Sequence, residues 1–328
     1  GARRGAAAWL AAPAPSGALE FVSGAASLAV AGLSENPVEM FDDLLAMAQT
    51  AGGEGAIEEL AKLESGLGFS LRDDLAAALG GDAAFALDGP LLPTPSWKLV
   101  VEVTNPSHLE YVLGRAVEAI NREAAEAGRG GLRYGEEEAG GRRFLTIATA
   151  EGATMVVMTF VDGYLVAGPS RALVLEAIAH RAAGSHLAAS SAFRERLPSD
   201  AETDFSALVW QNLGGAAGPL ADFLGGAMPE GERAELEALA QEMGPMLVLA
   251  YGDADRIRLV ARGAAGPLGV SFGKLLALAG AILERAPAEE GEDDEVSPLA
   301  ENAVGLEIAA ASTTSRNSRA RYGVKSSE

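Results

Sequence analysis

The chain has 328 residues and 48% hydrophobic content, enough for a sizeable core in one large domain or two ordinary ones. Its 46 Asp and Glu against 25 Lys and Arg give a formal charge of −21, a field that repels phosphate backbones and anionic headgroups and argues against non-specific nucleic-acid binding. There is no Cys, which excludes a disulfide framework, a thiolate nucleophile and any Cys-ligated metal or iron–sulfur site.

Residues 1–19 are Ala/Pro-rich and are expected as a flexible lead-in, with Trp9 docked on the body. A strand over 27–33 leads to a helix, with Ser34 suited to its cap and Pro37 to its first turn. Val38, Phe41, Leu44, Leu45 and Ala48 share one face of that helix. A second helix is expected over 56–67. Ser70 then caps a third, with Asp73 and Asp74 in the first turn, where the dipole favours negative charge, and Gly80–Gly81 at its end. Strands at 83–88 and 97–103 flank a Pro-rich loop.

The longest helix is expected over 107–128, with Leu109, Val112, Leu113, Ala116, Val117 and Ile120 as its apolar stripe. Strands at 132–138, 142–149, 154–160 and 164–167 follow, separated by Gly140–Gly141, Glu151–Gly152 and Asp162–Gly163. Asp-Gly between two apolar runs is a strong hairpin signal, and the set predicts an antiparallel meander. Pro169–Ser170 opens another helix, a short one lies around 191–197, and a strand spans 204–210. Helices at 220–225 and 230–242, a hairpin of 246–251 and 256–261, and a helix at 272–285 complete the body. Residues 286–328 are acidic and then Ser/Arg-rich; such a tail buries too little apolar surface to offset its ordering entropy.

One pattern recurs at 28–48, 99–120, 164–180 and 205–225: apolar strand, a turn of Asn, Ser or Pro, then amphipathic helix. It predicts an α+β fold, with an antiparallel, curved β-sheet or sheets and helices packed on one face, built from repeated strand–turn–helix units. The expected body is 20–285, divisible into pseudo-repeats at about 20–130 and 131–285. No apolar run is long enough to cross a bilayer, since 275–283 is short and contains Gly280.

Four segments, LGFSLRDDLAAALGGDAAFALDG (67–89), KLVVEVTNPSHLEYVLGRAVEAI (98–120), FVDGYLVAGPSRALVLEAIAH (160–180) and SSAFRERLPSDAETDFSALV (190–209), stand in an order that resembles the bacterial proteins grouped as domain of unknown function 3352. The resemblance covers roughly residues 20–285 and omits the tail. It implies a periplasmic, envelope-associated or secreted location, and it carries no catalytic residues.

Residues that could carry chemistry read more simply as structure. His108, His180 and His186 lack the spacing of a metal set, and 269–275 has neither the Gly spacing nor the hydroxyl of a phosphate loop. Gly214–Gly218 lacks dinucleotide spacing. Ser170 follows a strand as a nucleophile would, but Asn105-Pro106-Ser107 holds the same place in another copy, so it reads as a helix cap. The clusters Asp42–Asp43, Asp73–Asp74 and Glu136–Glu138 suit helix first turns and solvated faces. Asp253, Asp255 and the run 289–295 lack calcium-loop spacing, and Trp9, Trp97 and Trp210 are too scattered to stack bases. No catalytic, cofactor-binding or metal-ligating residue is assigned, and no cofactor is expected.

The sequence therefore favours a non-enzymatic envelope or secreted protein that binds a protein partner or serves as a structural component. Two alternatives stand beside it: a carrier of a lipid or other apolar ligand held between sheet and helices, and a hydrolase with a dispersed carboxylate site.

Overall fold

The computed structural model describes residue 3 and residues 5–52, 55–90, 94–198, 204–212 and 244–263, all within a compact unit spanning Gly1–Arg285. The helices expected at 220–225, 230–242 and 272–285, and the tail 286–328, lie outside the described residues.

Among the described residues, ten strands form one antiparallel, curved sheet. In chain order they are β1 (Leu28–Leu33), β2 (Leu79–Leu87), β3 (Trp97–Val103), β4 (Leu132–Ala139), β5 (Arg142–Thr149), β6 (Thr154–Val161), β7 (Tyr164–Gly168), β8 (Ala207–Gln211), β9 (Met246–Gly252) and β10 (Ile257–Arg262). Across the sheet the order is β10-β9-β8-β1-β2-β3-β7-β6-β5-β4, and the two outermost strands do not pair with each other. Register shifts between Leu79 and Ala83 and between Ile147 and Ala148 add local twist. The expected meander is β4 to β7. Its β6–β7 turn places Asp162 at φ 49° and Gly163 at φ 84°, the paired positive angles that match a two-residue turn to the twist of its strands.

The repeated strand–turn–helix unit is present three times among the described residues. Helix α1 (Pro37–Gly52) follows β1, α3 (Pro106–Glu126) follows β3 and α4 (Arg171–Ala183) follows β7; α2 (Gly55–Leu67) and the short α5 (Ser191–Arg194) are the other α-helices among the described residues. Each start is capped by a side chain. Asn36 accepts from Val38 N at 3.0 Å, Asn105 from His108 N at 3.1 Å and Ser170 from Leu173 N at 3.4 Å. Asn36, rather than the expected Ser34, caps α1, because Ser34 Oγ donates to Gly81 O. The expected third helix is shorter than read: Ser70 does cap a turn, of π type, over Leu71–Leu75, but β2 already begins at Leu79 and takes in Gly80 and Gly81.

The helices occupy both faces of the sheet, not the one expected. Adjacent residues of β7 show this, because side chains alternate along a strand. Val166 packs in a cluster with Val174 and Ala177 of α4, whereas Leu165 and Ala167 pack in another with Leu109 of α3. The cause lies in the central strands, whose apolar runs are continuous (LAVAGL, LVV, YLVAG, ALVW), so both faces need cover. We call the α4 side the front and the α1/α3 side the back.

The segment expected as a flexible lead-in is tied to the sheet. Leu10 bridges Ser34, Ala14 bridges Phe205, and a short 3-10 helix at Ala18–Phe21 lies buried on the front.

Candidate functional site

On the back of the sheet, beneath α1, lies a cavity of about 890 Å³. Its floor is the central sheet: Val30 and Gly32 of β1, Ala83 and Phe85 of β2, Leu99 and Val101 of β3. Its roof is α1, through Pro37, Met40, Phe41 and Leu44. Leu71, Leu75 and Leu79 close one side, and Trp9 and Leu10 another. Among the described residues, no charged side chain lines it.

The sequence builds both walls. Alternation within β1 to β3 sends every second apolar residue to the back, and the spacing of Met40, Phe41 and Leu44 puts them on one side of α1. Yet the two walls do not bury each other. Val30 stays 43% exposed, Phe85 39%, Leu99 37% and Leu44 50%, and no described residue of α1 is buried. A helix in this position would ordinarily bury its apolar stripe against the sheet.

Polar pins hold the roof where packing does not. Trp9 Nε1 donates to Asp43 Oδ2 at 2.8 Å. Arg72, on the π-type turn, donates to Asp42 in a two-pronged pair at 2.7 and 2.8 Å. The Arg72 hydrogen bond and charge hold the Asp42 carboxyl below the usual carboxylate range. The same turn reaches α3, where Asp74 Oδ1 lies 3.1 Å from His108 Nε2.

The front face carries a different feature, which the sequence reading missed. Asp82, within β2, and Asp88, one residue past its end, are both buried on the front. Asp82 accepts from Ser16 Oγ, Ala18 N and Tyr164 OH at 2.8, 2.9 and 3.0 Å. Asp88 accepts from Ser23 N at 2.8 Å, from Ser23 Oγ and from Lys98 Nζ at 2.7 Å. Lys98 and Asp88 are 1% and 3% exposed. Burial pushes the Asp88 carboxyl up, but the Lys98 charge and the bonds from Lys98 and Ser23 outweigh it and bring it below its ordinary value. These carboxylates fasten the 16–26 segment to the sheet. Six residues apart along the line of β2, they stand roughly 20 Å from each other and do not converge on a shared cleft. Period-2 spacing was the available signal, since Asp82, Ala84, Ala86 and Asp88 share a face and Lys98 is in phase with Val100.

The other residues weighed from sequence are dispersed. His180 Nε2 lies 3.3 Å from Glu176, and His186 sits beside Ser23, with its Nδ1 buried and unpaired. Glu136 pairs with Arg143, Glu137 with Arg171 and Asp253 with Arg256. Trp210 is fully buried and donates to Ala26 O at 3.0 Å. Among the described residues, no group of three or more His, Asp or Glu could hold a metal ion. No helix there is long and apolar enough to cross a membrane. Gly214–Gly218, 269–275 and 289–295 lie outside the described residues.

No protein-family model matches the chain, and no curated protein matches it significantly. Among solved structures it is similar to crystal form IV of TP0453, at 8% identity and a TM-score of 0.37, over 75% of this chain and 80% of that one. So low a score says nothing of activity.

Proposed function

We propose that this protein binds an apolar small molecule, of the class of lipids and alkyl chains, in the cavity between its sheet and α1. One observation carries the reading: apolar side chains of the sheet and of α1 line one hollow of about 890 Å³ and stay partly exposed instead of burying each other. That volume falls in the roughly 300–1,000 Å³ range of small-molecule sites, which are concave and mainly apolar. The concavity favours a small ligand over the protein-partner role that the sequence put first, because small-molecule sites are typically concave and lined by apolar side chains. The described residues of the lining carry no charge, so a polar head lies at the mouth. The resemblance to exported bacterial proteins supports a role in the envelope or outside the cell.

The test is a titration of the full chain, stripped of bound lipid by organic extraction, with a fluorescent hexadecanoate. Saturable binding at a single site is expected, abolished by Val30→Asp, which puts a charge on the floor without disturbing the front-face core. A stripped, folded chain that shows no saturable binding contradicts the proposal.

A further inference from the structure

Gly32 stands one residue from the end of β1, in the middle of the cavity floor. Glycine in a strand loses backbone entropy and packs nothing, so it usually marks a place where some other group needs the room. The strands contain six glycines among the described residues: Gly32, Gly80, Gly81, Gly135, Gly168 and Gly252. At five of them the protein itself takes that room. A Cβ would strike Glu102 at Gly80, Ser34 O at Gly81, Thr146 at Gly135, Trp97 O at Gly168 and Ala11 O at Gly252, in every case at 3.1 Å or less. At Gly32 its nearest contact among the described residues would be the Ala207 Cβ at 3.9 Å, an ordinary packing distance. Nor does Gly32 adopt the left-handed backbone that favours glycine. Neither steric need nor backbone conformation accounts for it; the space it leaves open is the cavity.

Register shows the shape of that space. Gly32 lies opposite Ala207 on one side and Ala83 on the other, and Val30, the next residue on the same face, lies opposite Val209 and Phe85. Phe85 in turn faces Leu99. A bulky ridge of Val30, Phe85 and Leu99 therefore runs across the strands beside a furrow centred on Gly32. The furrow crosses β8, β1 and β2, which lie roughly 5 Å apart, and α1 covers it.

We infer that Gly32 determines the specificity of this cavity, by keeping open a narrow furrow that admits a single unbranched alkyl chain lying across the strands. The inference rests on the proposed apolar-ligand reading and goes beyond it, in naming both the class of ligand and the residue that selects it. A free fatty acid and the tail of a phospholipid offer the same chain.

The full chain with Gly32→Ala, Gly32→Val and Gly32→Leu is titrated with the fluorescent hexadecanoate, and folding is followed by circular dichroism. The Cβ position is open, so all three variants are expected to melt at or above the wild-type temperature. Affinity is expected to fall stepwise with side-chain size, by tenfold or more for Gly32→Leu. Unlabelled hexadecanoate and palmitoyl-lysophosphatidylcholine then compete for the site. Displacement by both identifies the chain alone as the recognised group, displacement by one identifies its source, and displacement by neither overturns the inference. If Val30→Asp abolishes binding while a folded Gly32→Leu binds within twofold of wild type, the furrow is refuted and the cavity reading stands. If the wild type does not bind, both fail together.

Discussion

The same three strands, β1 to β3, have two apolar faces that meet opposite fates. On the front, Ala29, Ala31, Ala84, Ala86 and Val100 are buried to 2% exposure or less under the 18–26 segment and α4, in one core with Trp210, Phe21 and Phe193. On the back, Val30, Phe85 and Leu99 remain over a third exposed, with α1 held above them by polar pins. Hydropathy alone does not distinguish the two, since Val30 and Ala31 look equally suited to a core. Size and cover distinguish them. The front floor is lined with alanines, against which the covering segment sits closely, and buried carboxylates fasten that segment down. The back floor offers a bulky ridge beside an unfilled glycine, and its roof leaves that ridge partly exposed. The protein thus has one face for stability and a half-face left open.

The contrast sharpens first at Lys98. Lys98→Ala leaves the Asp88 carboxylate buried without its counter-charge, and a loss of about 3–5 kcal/mol in urea unfolding is expected. The double variant Lys98→Met/Asp88→Leu removes both charges and should recover most of that loss. If the single variant unfolds like wild type, the front face is not the stabilising one. The pair also sets an acid limit. Asp88 binds its proton less readily folded than unfolded, so its contribution is present above about pH 4 and is lost as pH falls through the lower folded value. Melting temperature measured against pH should show that acid limb in the wild type and a weaker one in the double variant.

Aromatic truncation compares the faces directly. Trp210→Ala, in the front core, is expected to cost about 3–5 kcal/mol, and Phe85→Ala, on the cavity ridge, under about 1 kcal/mol in the ligand-free chain. Equal losses at the two sites would mean that the cavity face is packed after all. The smallest expected effect is at Arg72. Its pair with Asp42 is exposed, so Arg72→Ala should leave the melting curve unchanged while speeding ligand release from beneath α1, as read by stopped-flow displacement.

Much of this fold was legible in the sequence, for local reasons. Asn105 and Ser170 cap the helices that their turns announced, and Asp162–Gly163 makes the hairpin that its dipeptide requires. The ten-stranded sheet and its order were not legible, because pairing β1 with both β2 and β8 depends on contacts far apart in the chain. The helix cover on both faces was readable in principle from unbroken runs such as LAVAGL, yet the repeated amphipathic helices suggested a single layer. The cavity was foreseen only as a shape beneath helices. Its location depends on α1 leaving the back of the sheet partly exposed, and that follows from Trp9 and Arg72, residues that no periodicity links to α1. Lys98 and Asp88 were hidden by their neighbours, each looking like the polar end of an apolar strand.

Methyl NMR of the Val- and Leu-labelled full chain, titrated with an unbranched fatty acid, tests the account most directly. Shifts are predicted for Val30, Leu44, Leu75, Leu99 and Val101 around the cavity, with Val100, Val166 and Leu208 on the front unmoved. A folded protein whose cavity methyls stay still, or whose front-face methyls move instead, would contradict it.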